Sequence, residues 1–181
     1  MAFKVAGVIT EKKEKTFQRN EVEETNYSII ISCLGFNLPY ELDYNDWVLY
    51  KEGEVVQLLV AAKNSSKVVD KKAYNFFEPL VRGIKKAKLN DILHVPKGEL
   101  CVLDAQLLSL GFDEKGEEKG SYAKILFEGD LVGEMTGSKE LFENLQNYKK
   151  YSCNMSIAIK RNVLQIIPTN FKEIGVLDEE F

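Results

Sequence analysis

One histidine, one tryptophan, four prolines and three cysteines in 181 residues leave little material for several kinds of chemistry. A histidine-based metal centre or a Ser-His-Asp triad would rest on His94 alone, and His94 stands in "DILHVPKG", which reads as a connector. Cys33, Cys101 and Cys153 are odd in number, far apart and set inside apolar runs. That is the pattern of buried reduced thiols, not of a disulfide framework. No GxxxxGK[ST] phosphate cradle, no G-x-S-x-G elbow and no Cys or His pair at metal spacing occurs. Carboxylates cluster in "FDEKGEE" and "LDEE", but a loop and a terminus offer no rigid element to fix metal ligands. No apolar run approaches the ~20 residues of a membrane span. The opening "MAFKVAGVITEKK" turns charged too early for a signal peptide. These absences predict a cytoplasmic protein that is not an enzyme, holds no cofactor or metal and does not enter a membrane.

What is present is a core-forming composition, 45% hydrophobic and 29% charged, with a net charge of -4. The charge is unevenly placed. Residues 1–90 carry 14 Lys and Arg against 12 Asp and Glu, and residues 91–181 carry 10 against 16. A mildly acidic whole therefore leaves room for local basic patches.

Strand signals dominate. "FKVAGVIT" (3–10), "NYSIIISCLGFNLPYEL" (26–42, two runs around Gly35), "EVVQLLVAA" (54–62) and "AYNFFEPLVRGI" (73–84) are β-branched and aromatic. The second half repeats the style in "ELCVLDAQLLSLGF" (99–112), "SYAKILFEGDLVGEMTG" (121–137), "YSCNMSIAIK" (151–160) and "NVLQIIPTNFKEI" (162–174). Glu128-Gly129-Asp130 and Lys160-Arg161-Asn162 read as tight turns. One helix is expected in "SKELFENLQNYKK", with Ser138 as N-cap and Leu141, Phe142, Leu145 and Tyr148 on its apolar stripe. A shorter one is expected in "DYNDWVLYKEG", capped by Asp43 and ended by Gly53.

The second half thus runs strand, long polar loop (113–120), paired strands, helix, strand, hairpin (160–162), strand. This is the element order of the OB fold, a five-stranded Greek-key barrel with a capping helix between strands three and four. The first half fits the same template, with 11–25 as its 1–2 loop and 64–72 as its 4–5 loop, and "NYSIII" matches "SYAKIL" at the start of strand two. Two arrangements stay open on these grounds, a tandem pair of barrels or one larger mixed β domain. The fold class expected is mainly β, OB-like, with a β domain over 1–90, an OB domain over 91–174 and an acidic tip over 175–181. The joint falls near "KKAKLNDILHVPKG" (85–98).

With catalysis excluded, a binding module remains. Single-stranded nucleic acid needs cations for phosphate and aromatic faces for bases, each stacked base contributing about 1–3 kcal/mol. Lys63, Lys67, Lys71 and Lys72 fall in the first 4–5 loop, followed by Tyr74, Phe76 and Phe77, of which alternation sends one phenylalanine inward and one outward. Arg82, Lys85, Lys86 and Lys88 lie at the joint, and Lys12, Lys13, Lys15, Phe17 and Arg19 in the first 1–2 loop. Lys149, Lys150 and Tyr151 open the fourth strand of the second half, and Lys160 and Arg161 stand at its 4–5 turn. Tyr27, Trp47, Tyr122 and Phe142 are assigned to packing.

Element order, basic loops and the ending Asp178-Glu179-Glu180-Phe181 together resemble the OB-fold single-stranded-DNA-binding proteins of bacteria, phages and plasmids. The resemblance implies non-sequence-specific binding of single-stranded DNA in replication, recombination or repair. RNA stands as a second substrate, because stacking does not discriminate without a 2′-OH contact. It also implies that Asp178, Glu179, Glu180 and Phe181 dock on replication or recombination proteins. This chain lacks the long Gly/Gln/Pro-rich linker usual before that tip. The acids could equally occupy the protein's own cationic groove. Exposed barrel edges leave room for a homodimer. The alternative reading is a β-barrel protein-interaction module, such as a phage factor that redirects a host enzyme, favoured by the acidic second half.

Overall fold

The computed structural model of the chain describes residues 2–69, 71–88, 96–109, 114–115, 121–127, 131–160 and 162–176. It is mainly β, with ten strands and two short helices among these residues. The chain divides into two compact units, one of residues 4–60 and 81–94, the other of residues 1–3, 61–80 and 95–181.

The first of these units holds most of β1 (Ala2–Arg19), β2 (Val22–Cys33), β3 (Phe36–Leu42), α1 (Tyr44–Leu49) and the adjoining parts of β4 (Val55–Val69) and β5 (Lys72–Lys86). The strands lie in the order β5-β4-β1-β2-β3. Alternation decides which face is buried: Val5 and Ile9 on β1, Ile29, Ile31 and Cys33 on β2, and Val56, Leu58 and Val60 on β4 are each at most 5% exposed. Each large aliphatic side chain so buried contributes about 1.5–3 kcal/mol.

The second unit holds β6 (Lys97–Ser109), β7 (Ser121–Phe127), β8 (Leu131–Gly137), α2 (Lys139–Phe142), β9 (Lys149–Lys160) and β10 (Val163–Val176). Their order is β10-β9-β6-β7-β8, β5 follows β8, and β10 also lies against β8. The β5–β8 pairing is parallel, with Phe76 opposite Glu134. It depends on Gly133, where an added Cβ would stand 2.5–2.7 Å from three carbons of the Phe77 ring. Leu100, Val102, Met135, Phe142, Cys153, Met155, Ile157 and Ile166 build the core of this unit.

Several expectations need correction. The polar stretch 11–25 is not a loop: β1 and β2 stay paired out to Arg19 opposite Val22, and Asn20 and Glu21 turn the chain with φ of +51° and +67°. Two successive residues in the left-handed region are what a two-residue hairpin turn matching strand twist requires. Residues 64–69 and 72 likewise belong to β4 and β5, with Lys71 at φ +65°. α1 has Asp43 as N-cap, its side chain accepting from Asp46 N–H, but it ends at Leu49, and Gly53 turns the chain afterwards at φ +83°. Ser138 caps α2 as expected, yet α2 stops at Phe142 and gives way to turns that end with Tyr148 at φ +59°.

Candidate nucleic-acid interface

Within the second unit, residues 61–80 of β4 and β5 carry Lys63, Lys71 and Lys72 exposed and Lys67 half-buried. Lys63 and Lys67 stand about 13 Å apart along an extended strand at ~3.3 Å per residue. Glu78, an acid on β5, accepts a 2.7 Å hydrogen bond from Ser65 Oγ. Among the described residues none of the four lysines forms a salt bridge. Asp70, which stands between Lys67 and Lys71 in sequence, lies outside the described residues. Tyr74 is half-buried beside these lysines. Phe76 and Phe77 are not base-stacking platforms: both are buried, at 7% and 0% exposure, because β8 covers β5 on one side and Gly133 admits the Phe77 ring. The expectation that one ring faces outward fails for that reason.

The other unit presents a second basic hairpin. Cross-strand partners share a face, so Lys13, Lys15, Phe17 and Arg19 line one side of the β1–β2 arm with Ser28, Asn26, Glu24 and Val22. Lys13 pairs with Glu11 at 3.1 Å, an exposed contact that salt and solvent weaken. Lys12 lies on the opposite side and has a different task. Its ammonium donates to the carbonyls of Trp47 and Tyr50, each at 2.7 Å, and sits 3.8 Å from the centre of the Trp47 ring. α1 has no basic residue in its last turn, so Lys12 supplies the cation its C-terminus lacks. Trp47 Nε1 donates to the Ser28 carbonyl, and the Tyr27, Tyr44 and Trp47 rings pack together. Tyr27 and Trp47 are therefore packing residues, though only half-buried ones.

Arg82 is exposed on β5 of the same unit. Beside it, Lys4, Gln57, Leu59, Ile84 and Lys85 bound an open groove of about 280 Å³. Lys4 was missed at the sequence level; it is the outward position of the alternating run "FKVAGVIT". Lys86 is held by Glu54 at 2.9 Å, and that contact, with a backbone N–H from Lys51, holds the Glu54 carboxyl below its usual range. Burial, reinforced by the Asp46 charge, pushes the Tyr50 phenol up.

On β9 two candidates change role. Tyr151 is 3% exposed. Its hydroxyl accepts from Gln146 N–H at 2.7 Å and donates to the Asn144 carbonyl at 3.3 Å, and its ring meets Phe171 edge-on. It ties down the segment after α2 and cannot stack on a base. Lys149 is neutralised by Glu173 at 2.6 Å. Lys160 is exposed and forms no salt bridge among the described residues. Lys160 and Val163 pair across a two-residue turn, as expected for that hairpin. Arg161, His94, Asp178, Glu179, Glu180 and Phe181, and all of 113–120 except Glu114 and Lys115, lie outside the described residues.

No group of three or more His, Cys, Asp or Glu placed to hold a metal ion occurs among the described residues. All three cysteines are buried, and burial pushes the Cys33 and Cys153 thiols up to about 12, far from a reactive thiolate. Among the described residues no helix is long and apolar enough to cross a membrane.

No protein-family model and no curated protein sequence matches the chain. Among solved structures it is similar to a murine DNA-binding protein bound with double-stranded DNA, at 8% identity over 96% of this chain and 99% of that one, with a TM-score of 0.25. A superposition that loose carries no argument about fold or function.

Proposed function

We propose that the chain is a non-enzymatic, non-sequence-specific single-stranded-DNA-binding protein of OB type, acting in replication, recombination or repair. One observation carries this reading. The strand order 5-4-1-2-3, with a short helix between the third and fourth strands, occurs in both β1–β5 and β6–β10. That order supports an OB-type reading, a fold that binds oligonucleotides through a sheet face and its 1–2 and 4–5 connections. The β1–β2 arm of one unit carries Lys13, Lys15 and Arg19, and the β4–β5 arm of the other carries Lys63, Lys67, Lys71 and Lys72, each a contact surface by itself. Phosphates meet these cations, and Phe17 and Tyr74 are the half-buried rings placed to meet bases. The tip Asp178 to Phe181 serves as a docking peptide for replication or recombination partners.

Titration of labelled oligo-dT, a matched duplex and oligo-U tests the reading. Single strands bind more tightly than duplex, and affinity falls with salt. Equal affinity for duplex, or binding indifferent to salt, contradicts it. Oligo-U bound as tightly as oligo-dT extends the substrate to RNA.

A second reading has its own observation. Tyr44, Val48 and Leu49 on α1 are 55%, 44% and 60% exposed, α1 buries no residue, and Asp43 and Asp46 border it. An apolar face rimmed by acids suits a protein segment with apolar anchors and flanking cations. A partner captured after nuclease treatment by the native chain, and lost with Tyr44→Ala/Leu49→Ala, would favour a protein-interaction module.

A further inference from the structure

β9 alternates over its middle, although Ser152 is also buried and Ile159 is 58% exposed. Tyr151, Cys153, Met155 and Ile157 point into the core, at 3% exposure or less. Lys150, Ser152, Asn154, Ser156, Ala158 and Lys160 therefore share the opposite face. The register extends that face to both neighbours. On β6, Glu99 stands opposite Ser152 and Lys97 opposite Asn154. On β10, Lys172 stands opposite Ser152, Asn170 opposite Asn154 and Gly175 opposite Lys150.

Lys97, Lys150 and Lys172 so surround Ser152 and Asn154, and Lys160 stands on the same face farther along β9. Among the described residues at these register positions Glu99 is the one carboxylate, and none of the four lysines forms a salt bridge with a described residue. Glu173 faces the other way, opposite Tyr151, and holds Lys149. Four of this unit's lysines thus fall on one sheet face. Glu99, Leu100, Cys101, Lys150 and Ile174 bound a concavity of about 230 Å³ there. The Ser152 hydroxyl, on the same face, is buried and has no hydrogen-bond partner among the described residues. A buried hydroxyl without a partner is costly unless something else completes it.

We infer that this face binds the sugar–phosphate backbone of a nucleic acid, with the lysines meeting phosphate and Asn154 and Asn170 donating to phosphate oxygens. It carries no aromatic ring on β9 and none at the register positions named, so it holds a backbone without reading or stacking bases. The inference rests on the nucleic-acid-binding reading and adds a second contact surface, distinct from the two basic arms.

The test compares the salt dependence of oligo-dT binding by the full chain, by Lys97→Gln/Lys150→Gln/Lys172→Gln and by the arm variant Lys63→Gln/Lys67→Gln/Lys71→Gln/Lys72→Gln. Each phosphate contact removed lowers the slope of log affinity against log salt by about 0.7 for single strands, so the face variant loses about 2 in slope. Over a fourfold rise in salt its affinity then falls about 16-fold less than that of the native chain. A face variant with native slope, beside an arm variant whose slope drops, overturns this inference and leaves the function standing. A native chain that binds without salt dependence overturns both.

Discussion

Replacing Lys12 with methionine separates a structural lysine from the phosphate-binding ones around it. Methionine keeps the aliphatic stem and removes the ammonium, which makes two 2.7 Å hydrogen bonds to the Trp47 and Tyr50 carbonyls and lies 3.8 Å from the Trp47 ring centre. A hydrogen bond to a charged donor contributes about 1.5–3 kcal/mol where water is excluded. These carbonyls end a short helix and regain water when the lysine leaves, which puts each bond at or below the lower bound. The cation–π contact adds about 0.5–1 kcal/mol at a partly exposed site. The total is about 2–3 kcal/mol, equivalent to a loss of about 1–2 M in urea midpoint at an m-value near 1.5–2 kcal/mol/M. Urea unfolding followed by Trp47 fluorescence reads it directly, because the only tryptophan is the residue contacted. The salt slope of DNA binding stays native. Native stability with a lowered salt slope would refute the reasoning and return Lys12 to the phosphate-binding set.

Gly133→Ala places a methyl 2.5–2.7 Å from the Phe77 ring carbons and destabilises by about 1–3 kcal/mol, seen as a lowered urea midpoint. Phe77→Leu in the same chain recovers part of that loss if the ring is the obstacle. Glu54 has a depressed pKa, so its contribution to stability is complete above its ordinary value of 4.5 and disappears as pH falls through the lowered value. Lys86→Gln moves the NMR-detected Glu54 titration back toward 4.5, and a titration unmoved by it removes Lys86 as the cause. Cys33 and Cys153, with thiols pushed up to about 12, resist iodoacetamide at neutral pH until the chain is unfolded, and rapid alkylation of the native protein contradicts their burial.

The strands with one buried face were legible in the sequence. "FKVAGVIT" and "YSCNMSIAIK" alternate because their odd-numbered residues enter a core, and hydropathy records that directly. Extended structure without burial was not legible. Residues 11–25 look like a loop because both faces of the β1–β2 arm meet water, and the ladder that holds them is a backbone property. The two misassigned aromatics fail for a related reason. Phe76 and Tyr151 adjoin lysines in sequence, but Phe76 is buried beside β8, which arrives from far along the chain, and Tyr151 under the irregular turns after α2, where a longer helix was expected. Lys150 and Lys149 differ only in parity: one reaches the open face of β9, and the other turns to Glu173. Applied to β9 residue by residue, the period of two names the basic face, whereas a count of net charge over the second half hides it.

Fluorescence anisotropy of labelled oligo-dT at low salt, with the native chain and with Lys63, Lys67, Lys71 and Lys72 all changed to glutamine, tests the central claim most directly. Non-specific binding through several phosphates gives a Kd of about 10 µM or tighter for the native chain, weakened at least tenfold in the variant, whose lost contacts lower the salt slope by about 3. No saturable rise in anisotropy up to about 100 µM native protein, where even weak non-specific binders saturate, would contradict it.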